Sequence, residues 1–244
     1  MARAAHMLEV LSAAPGGLTL SDLARAIGAP KSSCLAVCAT LVETGLLART
    51  PAGAYQLGWK VVPLGRSYLA QSNLVAEFQQ VDQELRLLPD DTIVLSLLDG
   101  RTVVYVQTRP GLRPVAMAYE VGMRLPAHCT ASGKALLAAL TDNDIAGRYA
   151  DGTFDVLTRH SITRMPDLMP DLQRTRDRGY AIDDEETALG MICVGAAIFG
   201  RSGQPSGALS VSMIKATVDD DRIHHAASSI LRLTQALTVR LGAL

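Results

Sequence analysis

Cys193, His128 and Asp183 are the residue types of a nucleophile, a base and an orienting acid. Nothing in their spacing brings them together, and the sequence has no nucleophile elbow and no HExxH metal motif. They read better as a hydrogen-bonded structural histidine and a small buried thiol. No enzyme is expected, and a hydrolase built on Cys193 stays as an alternative. A second chemistry is ligand binding. In Leu125-Pro126-Ala127-His128-Cys129-Thr130-Ala131-Ser132-Gly133-Lys134, Thr130 suits a helix N-cap, and the small residues after it leave the first N–H groups uncovered, which attracts anions. Further on, Tyr180-Ala181-Ile182-Asp183-Asp184-Glu185-Glu186 reads as a short strand opening into four carboxylates, expected to be solvated, with Gly190 and Cys193 behind them. Metal ligation is not indicated. The four cysteines form no Cys-x-x-Cys pair, Cys34 and Cys38 read as core, and His224-His225 reads as surface helix without companion ligands. No cofactor is expected.

A third chemistry, recognition of a polyanion, falls at the front of the chain. Residues 1–66 carry six basic and three acidic groups, whereas acids outnumber bases in the remainder. Met7, Leu8, Val10 and Leu11 recur at helical spacing up to Pro15-Gly16-Gly17. A second helix carries Leu23, Ala24 and Ile27, with Ser21 as its cap and Gly28 past its end. Pro30 then opens a third, with Leu35, Val37, Cys38 and Leu41, ending near Gly45. Leu46 to Arg49 and Ala54 to Leu57 flank Thr50-Pro51-Ala52-Gly53 as a hairpin. Residues 1–61 thus read as a winged helix-turn-helix. Its third helix offers Lys31, Ser32 and Ser33 to bases and phosphates, and its wing offers Arg49. A helix-turn-helix that docks protein is the alternative.

These sites need elements to hold them. Residues 62–88 read as an amphipathic linker helix ending at Pro89, bent near Asn73, of the kind that packs in a homodimer or homotetramer. Residues 89–244 read as α+β. Strands are expected at Thr92 to Leu98, Thr102 to Gln107, Val115 to Tyr119, Ile192 to Phe199 and Ala208 to Met213. Helices are expected at Ala131 to Leu140, Asp144 to Tyr149, Asp167 to Arg178 and Asp219 to Leu241. An antiparallel sheet with helices over it commonly leaves a small-molecule cavity. With 244 residues, 48 % of them apolar, the chain can fill two cores, which excludes disorder or a fibrous repeat. Its longest apolar stretches fall well short of the roughly 20 residues a spanning helix needs. With few cysteines and no export signal, the expectation is a cytoplasmic protein with no membrane partner.

Three motifs in order, Ala29-Pro30-Lys31-Ser32-Ser33, Ala127 to Leu137, and Gly179 to Glu186 with Gly190 and Cys193, resemble the IclR family of bacterial transcriptional regulators, with Gly203 to Ser212 behind them. The resemblance runs from about Leu8 to Met213. It implies a winged helix, a linker helix and a GAF-like effector domain. It also implies dimers or tetramers that bind double-stranded operator DNA as repressors or activators, with a repressor expected here, at a metabolic or catabolic operon controlled by a small organic acid or aromatic metabolite. The effector site it implies consists of Ala131, Ser132, Asp183 and Cys193, with apolar walls from Met117, Leu125 and Met191. The uncovered N–H groups after Thr130 would hold a carboxylate. An ionised Asp183 would repel a second one, so a monoacid or hydroxy acid is expected rather than a diacid. The chain departs from the family at Leu35-Ala36, where a polar pair such as His-Arg is common. One phosphate or base contact is therefore expected to be missing, with the wing or Arg25 in compensation.

Overall fold

A computed structural model describes residues 2–71, 73–113 and 119–242, folded as two units, 1–71 and 72–244. In the first unit, helices α1 (Ala2–Ser12), α2 (Leu20–Ala26) and α3 (Lys31–Glu43) precede strands β1 (Leu47–Arg49) and β2 (Tyr55–Leu57) and helix α4 (Val61–Gln71). Met7, Leu11, Leu23, Cys34, Cys38, Leu41, Leu47 and Tyr55 form its core. The two cysteines are buried free thiols. The cap of α2 is Thr19 rather than Ser21. Thr19 accepts from the Asp22 N–H and donates to the Asp22 carboxylate at 2.6 Å, so the helix starts two residues earlier than the Ser21 reading. The hairpin pairs Leu47 with Leu57 and Arg49 with Tyr55, and Gly53 takes the left-handed φ of 82° that its turn needs.

The second unit runs through α5 (Asn73–Leu85), β3 (Thr92–Asp99), β4 (Thr102–Arg109), β5 (Arg124–Pro126), α6 (Ala131–Ala138), α7 (Asp142–Arg148), α8 (Met165–Arg178), β6 (Ala181–Asp184), β7 (Met191–Phe199), β8 (Pro205–Ile214) and α9 (Asp220–Arg240). The strands form one antiparallel sheet in the order β5-β4-β3-β8-β7-β6. Helix α6 packs on β7, β8 and α8, and α9 packs on β7, β8 and α5. The span read as one linker helix is taken up by α4 and α5, with Ser72 outside the described residues. Helix α5 stops at Leu85, short of Pro89, because Arg86 and Leu88 adopt left-handed φ values of 46° and 53°. Of the strand expected at Val115 to Tyr119, residues 115–118 lie outside the described residues and Tyr119 belongs to no strand. The third strand is instead the three-residue β5, too short to alternate visibly in sequence. Among the described residues no helix is long and apolar enough to cross a membrane.

Candidate effector site and DNA-binding face

The start of α6 is built as its sequence demands. Thr130 is extended (φ −91°) and its Oγ1 accepts from Gly133 N–H at 3.0 Å, while Lys134 N–H reaches the Thr130 carbonyl at 2.9 Å. The Ala131 and Ser132 N–H groups meet no acceptor among the described residues. Two glycines bring this terminus onto the sheet. A Cβ on Gly133 would lie 2.3 Å from the Ala127 carbonyl oxygen, and one on Gly195 of β7 would lie 2.8 Å from Ser132 N.

Antiparallel register does the rest. Asp183 of β6 stands opposite Cys193 of β7, which stands opposite Ser212 of β8. Cys193 donates to Ser212 Oγ at 3.4 Å, and Ser96 of β3 donates to Ser132 Oγ at 3.2 Å. Tyr105 and Tyr119, ring centres 6.0 Å apart, close the space. The cavity measures about 10 Å³ among the described residues, and its lining includes Tyr105, Ser132, Asp183, Cys193 and Ser210. That is room for about one water. Met117 lies outside the described residues. Leu125 and Met191 do not line the cavity. Leu125 sits on edge strand β5 against the apolar cluster of Val103 and Leu136, and Met191 is buried at the first position of β7, paired with Ile214.

The four carboxylates are not uniformly solvated. Asp184 is exposed, but Asp183 and Glu186 are 2 % and 8 % exposed. The Asp183 carboxylate accepts from Glu186 N–H at 2.8 Å and from the N–H and hydroxyl of Thr187, which fixes the turn after β6. Burial pushes its carboxyl above the usual range against those bonds. Glu186 takes the Nζ of Lys134, and the same Nζ lies 3.0 Å from the Asp171 carboxylate on α8. Lys134 is fully buried. Burial opposes its charge, but Glu186 and Asp171 hold its ammonium above the ordinary range. Burial, with Asp183 and Asp171 nearby, raises Glu186 to about 7 despite the lysine, since three carboxylates share one cation.

On the first unit, Lys31 and Ser32 are exposed at the start of α3, which has no acid in its first turn and no side-chain cap. Ser33 accepts from the Arg3 guanidinium of α1 at 2.7 Å. Arg25 is paired with Asp22 at 3.0 Å, and Arg49 is exposed, its guanidinium 5.2 Å from the Tyr55 ring centre. Leu35 and Ala36 are exposed as well.

Comparison with known proteins bears on both faces at once. Residues 66–239 match the profile of the bacterial transcriptional regulator IclR C-terminal domain, and residues 1–51 match the IclR helix-turn-helix domain. The chain belongs to the IclR family. The transcriptional repressor IclR of Escherichia coli is 26 % identical over 99 % of this chain and 89 % of its own length. The probable transcriptional regulator SauR of Cupriavidus necator is 31 % identical over 91 % and 88 %. In structure, the Agobacterium tumefaciens repressor BlcR superposes with a TM-score of 0.67 at 31 % identity, covering 99 % of this chain and 96 % of that one. An IclR-family protein is a transcriptional regulator that binds DNA through its helix-turn-helix and an effector through its C-terminal domain, and this chain carries both parts.

Two residues of this IclR-family chain escaped the sequence reading. Arg3 lies on the stripe of Met7 and Leu11, four and eight residues on, so a cation at the head of an apolar stripe was the available signal. Lys134 carried no signal, because its two partners come from distant elements. Of the three residues of the nucleophile reading, Asp183 and Cys193 meet in the cavity and His128 does not join them. His128 Nε2 bonds the Asp155 carbonyl at 3.0 Å and its ring packs edge-on to Tyr149 and Phe154, away from the cavity lining. Burial drives the Cys193 thiol far from thiolate formation.

Proposed function

We propose that this protein represses a metabolic or catabolic operon and is released by a small monocarboxylic or hydroxy acid bound between the head of α6 and Asp183. The observation that carries this reading is the pair of N–H groups at Ala131 and Ser132, without an acceptor among the described residues, in a small cavity also lined by the hydroxyl-bearing Tyr105, Ser210 and Ser212. The N–H groups take the carboxylate, Asp183 and the hydroxyls of Ser132, Ser210 and Tyr105 take the remaining polar atoms, and Cys193 supplies a soft wall. About 10 Å³ does not hold such an acid, so uptake spreads the walls. A coupling of about 1 to 3 kcal/mol from that displacement changes operator occupancy roughly 5- to 150-fold. The protein catalyses nothing and works in the cytoplasm. Homodimers or tetramers form through Trp59, Val62, Leu64 and Tyr68, large apolar side chains exposed on and before α4.

A thermal-shift screen of small acids and aromatics identifies the effector. Ser132→Leu and Asp183→Ala are then expected to abolish the shift and the operator release while duplex affinity stays unchanged. An unaltered dose response in both removes these residues from the site.

On the DNA side, Arg3 compensates for Leu35-Ala36. Held by Ser33, in no ion pair among the described residues, it places its remaining donors beside Lys31 and Ser32. Arg25 is already spent on Asp22. Arg3→Ala is expected to lower affinity for any duplex and to reduce the slope of log K against log salt by about 1, with Arg25→Ala changing it less. Equal slopes in wild type and Arg3→Ala remove Arg3 from the interface. The exposed Leu35 favours a second reading, a winged helix that docks protein; retention of a duplex at low salt by wild type but not by Lys31→Ala decides against it.

A further inference from the structure

At its opposite end α6 opens onto a groove of about 850 Å³, within the range of small-molecule sites. The groove exists because β6 stops at Ala181, paired with Gly195, while β7 continues to Phe199 with β8 on one side only. Small residues keep it open: Ala138 and Ala139 of α6, Ala197 of β7 and Gly179 after α8 form its floor, with Phe199 and Leu231 as apolar walls. Its charged group at the rim is a cation, and its lining offers donors from backbone and side chain. Glu185 N–H bonds the Met191 carbonyl and Phe199 N–H bonds Thr238 Oγ1, so the odd-numbered residues of β7 turn their backbone groups to this edge. Ala197 N–H therefore points into the groove and meets no acceptor among the described residues. Arg232 and Gln235 stand exposed at the rim, Arg232 in no ion pair among the described residues. No carboxylate lines the groove. The negative end of α6 is already offset, since Arg176 donates to the carbonyls of Ala138 at 2.8 Å and Leu140 at 3.2 Å.

We propose that this groove is a second ligand site, taking an apolar monocarboxylate with an aromatic ring or short acyl chain. The body lies on the alanine floor against Phe199 and Leu231, and the carboxylate meets Arg232, Gln235 and the Ala197 N–H. A peptide adding to the sheet is disfavoured because one free N–H and its carbonyl are too little edge to set a register. The eight residues of α6, about 12 Å long, separate this groove from the Ser132 cavity, so an occupant here pushes on the same helix from its other end. The site stands whatever acid the Ser132 cavity takes.

Isothermal titration of the full chain with sodium 1-naphthoate and with sodium octanoate tests it. Binding of at least one acid is expected, weakened about tenfold or more by Arg232→Glu and by Ala139→Phe, and retained by Ser132→Leu. The surface change Arg232→Glu keeps the test valid should Ala139→Phe misfold. No binding of either acid, equal affinity in Arg232→Glu, or loss of binding in Ser132→Leu overturns the proposal. So does a change of sedimenting mass on Arg232→Glu, which would make the groove an interface between copies.

Discussion

Lys134→Met is expected to destabilise the C-terminal unit by about 3 to 5 kcal/mol, the usual cost of deleting one partner of a buried ion pair. The side chain is fully buried with Glu186 and Asp171 at its ammonium, so methionine fills the volume and leaves Glu186 without a cation, while Asp171 keeps only Arg174 at 2.8 Å. Urea unfolding measures it. Glu186→Gln in the Lys134→Met background is expected to recover part of the loss, because the second change removes an orphaned charge. A Lys134→Met midpoint equal to wild type would sink the account. The same cluster sets a pH dependence. Glu186 is raised from 4.5 to about 7, so its neutral form is the one favoured by folding. The stability it contributes is complete below about 4.5 and is lost as pH rises through 7. The Glu186 contribution is expected to fall across that window, so the stability of wild type relative to Glu186→Gln declines from pH 5 through 6 to 7, as read from unfolding midpoints of both proteins; buried His128, held neutral, acts in the opposite sense and cancels in the comparison.

Gly195→Ala is expected to abolish the effector response while leaving operator affinity intact. Its methyl would sit 2.7 Å from the Ala131 carbonyl carbon and 2.8 Å from Ser132 N, closer than real contacts allow. Neither neighbour is a flexible side chain, so the head of α6 must back away from β7 and carry the Ala131 and Ser132 N–H groups with it. Overpacking of this kind costs about 1 to 3 kcal/mol. Gly147→Ala on α7 is the control: a Cβ there meets nothing within 4 Å, and alanine in a helix is neutral or stabilising. Thermal shifts with the identified effector separate the two. A full response in Gly195→Ala would show that the close approach of α6 to the sheet is not what positions the ligand.

The winged helix was legible because its signals are local. Pro30 before α3, Gly28 and Gly45 at left-handed positions, and Thr50-Pro51-Ala52-Gly53 between two short strands each act within a few residues. The same holds for Thr130 as the cap of α6 and for Asp99-Gly100 between β3 and β4. Ser21 misled because Thr19 also precedes a helical run and has Asp22 at the right distance to close a capping box. The acid run misled because burial of Asp183 and Glu186 depends on Thr187 and on Lys134, and the lysine lies 52 residues before Glu186.

By itself the order of residues determined which segments are helical, the cap at Thr130 and the breaks at Gly28 and Gly45, which faces are apolar, and, through three ordered motifs, family membership, since these are short-range properties of backbone and periodicity. Tertiary structure alone decided that Asp183 faces Cys193, that Lys134 is paired and buried, that Arg3 reaches Ser33, and that β7 outruns β6 to leave a groove. Strand register and the meeting of distant side chains follow from how the sheet and its helices pack together, and no local stretch of chain encodes that packing.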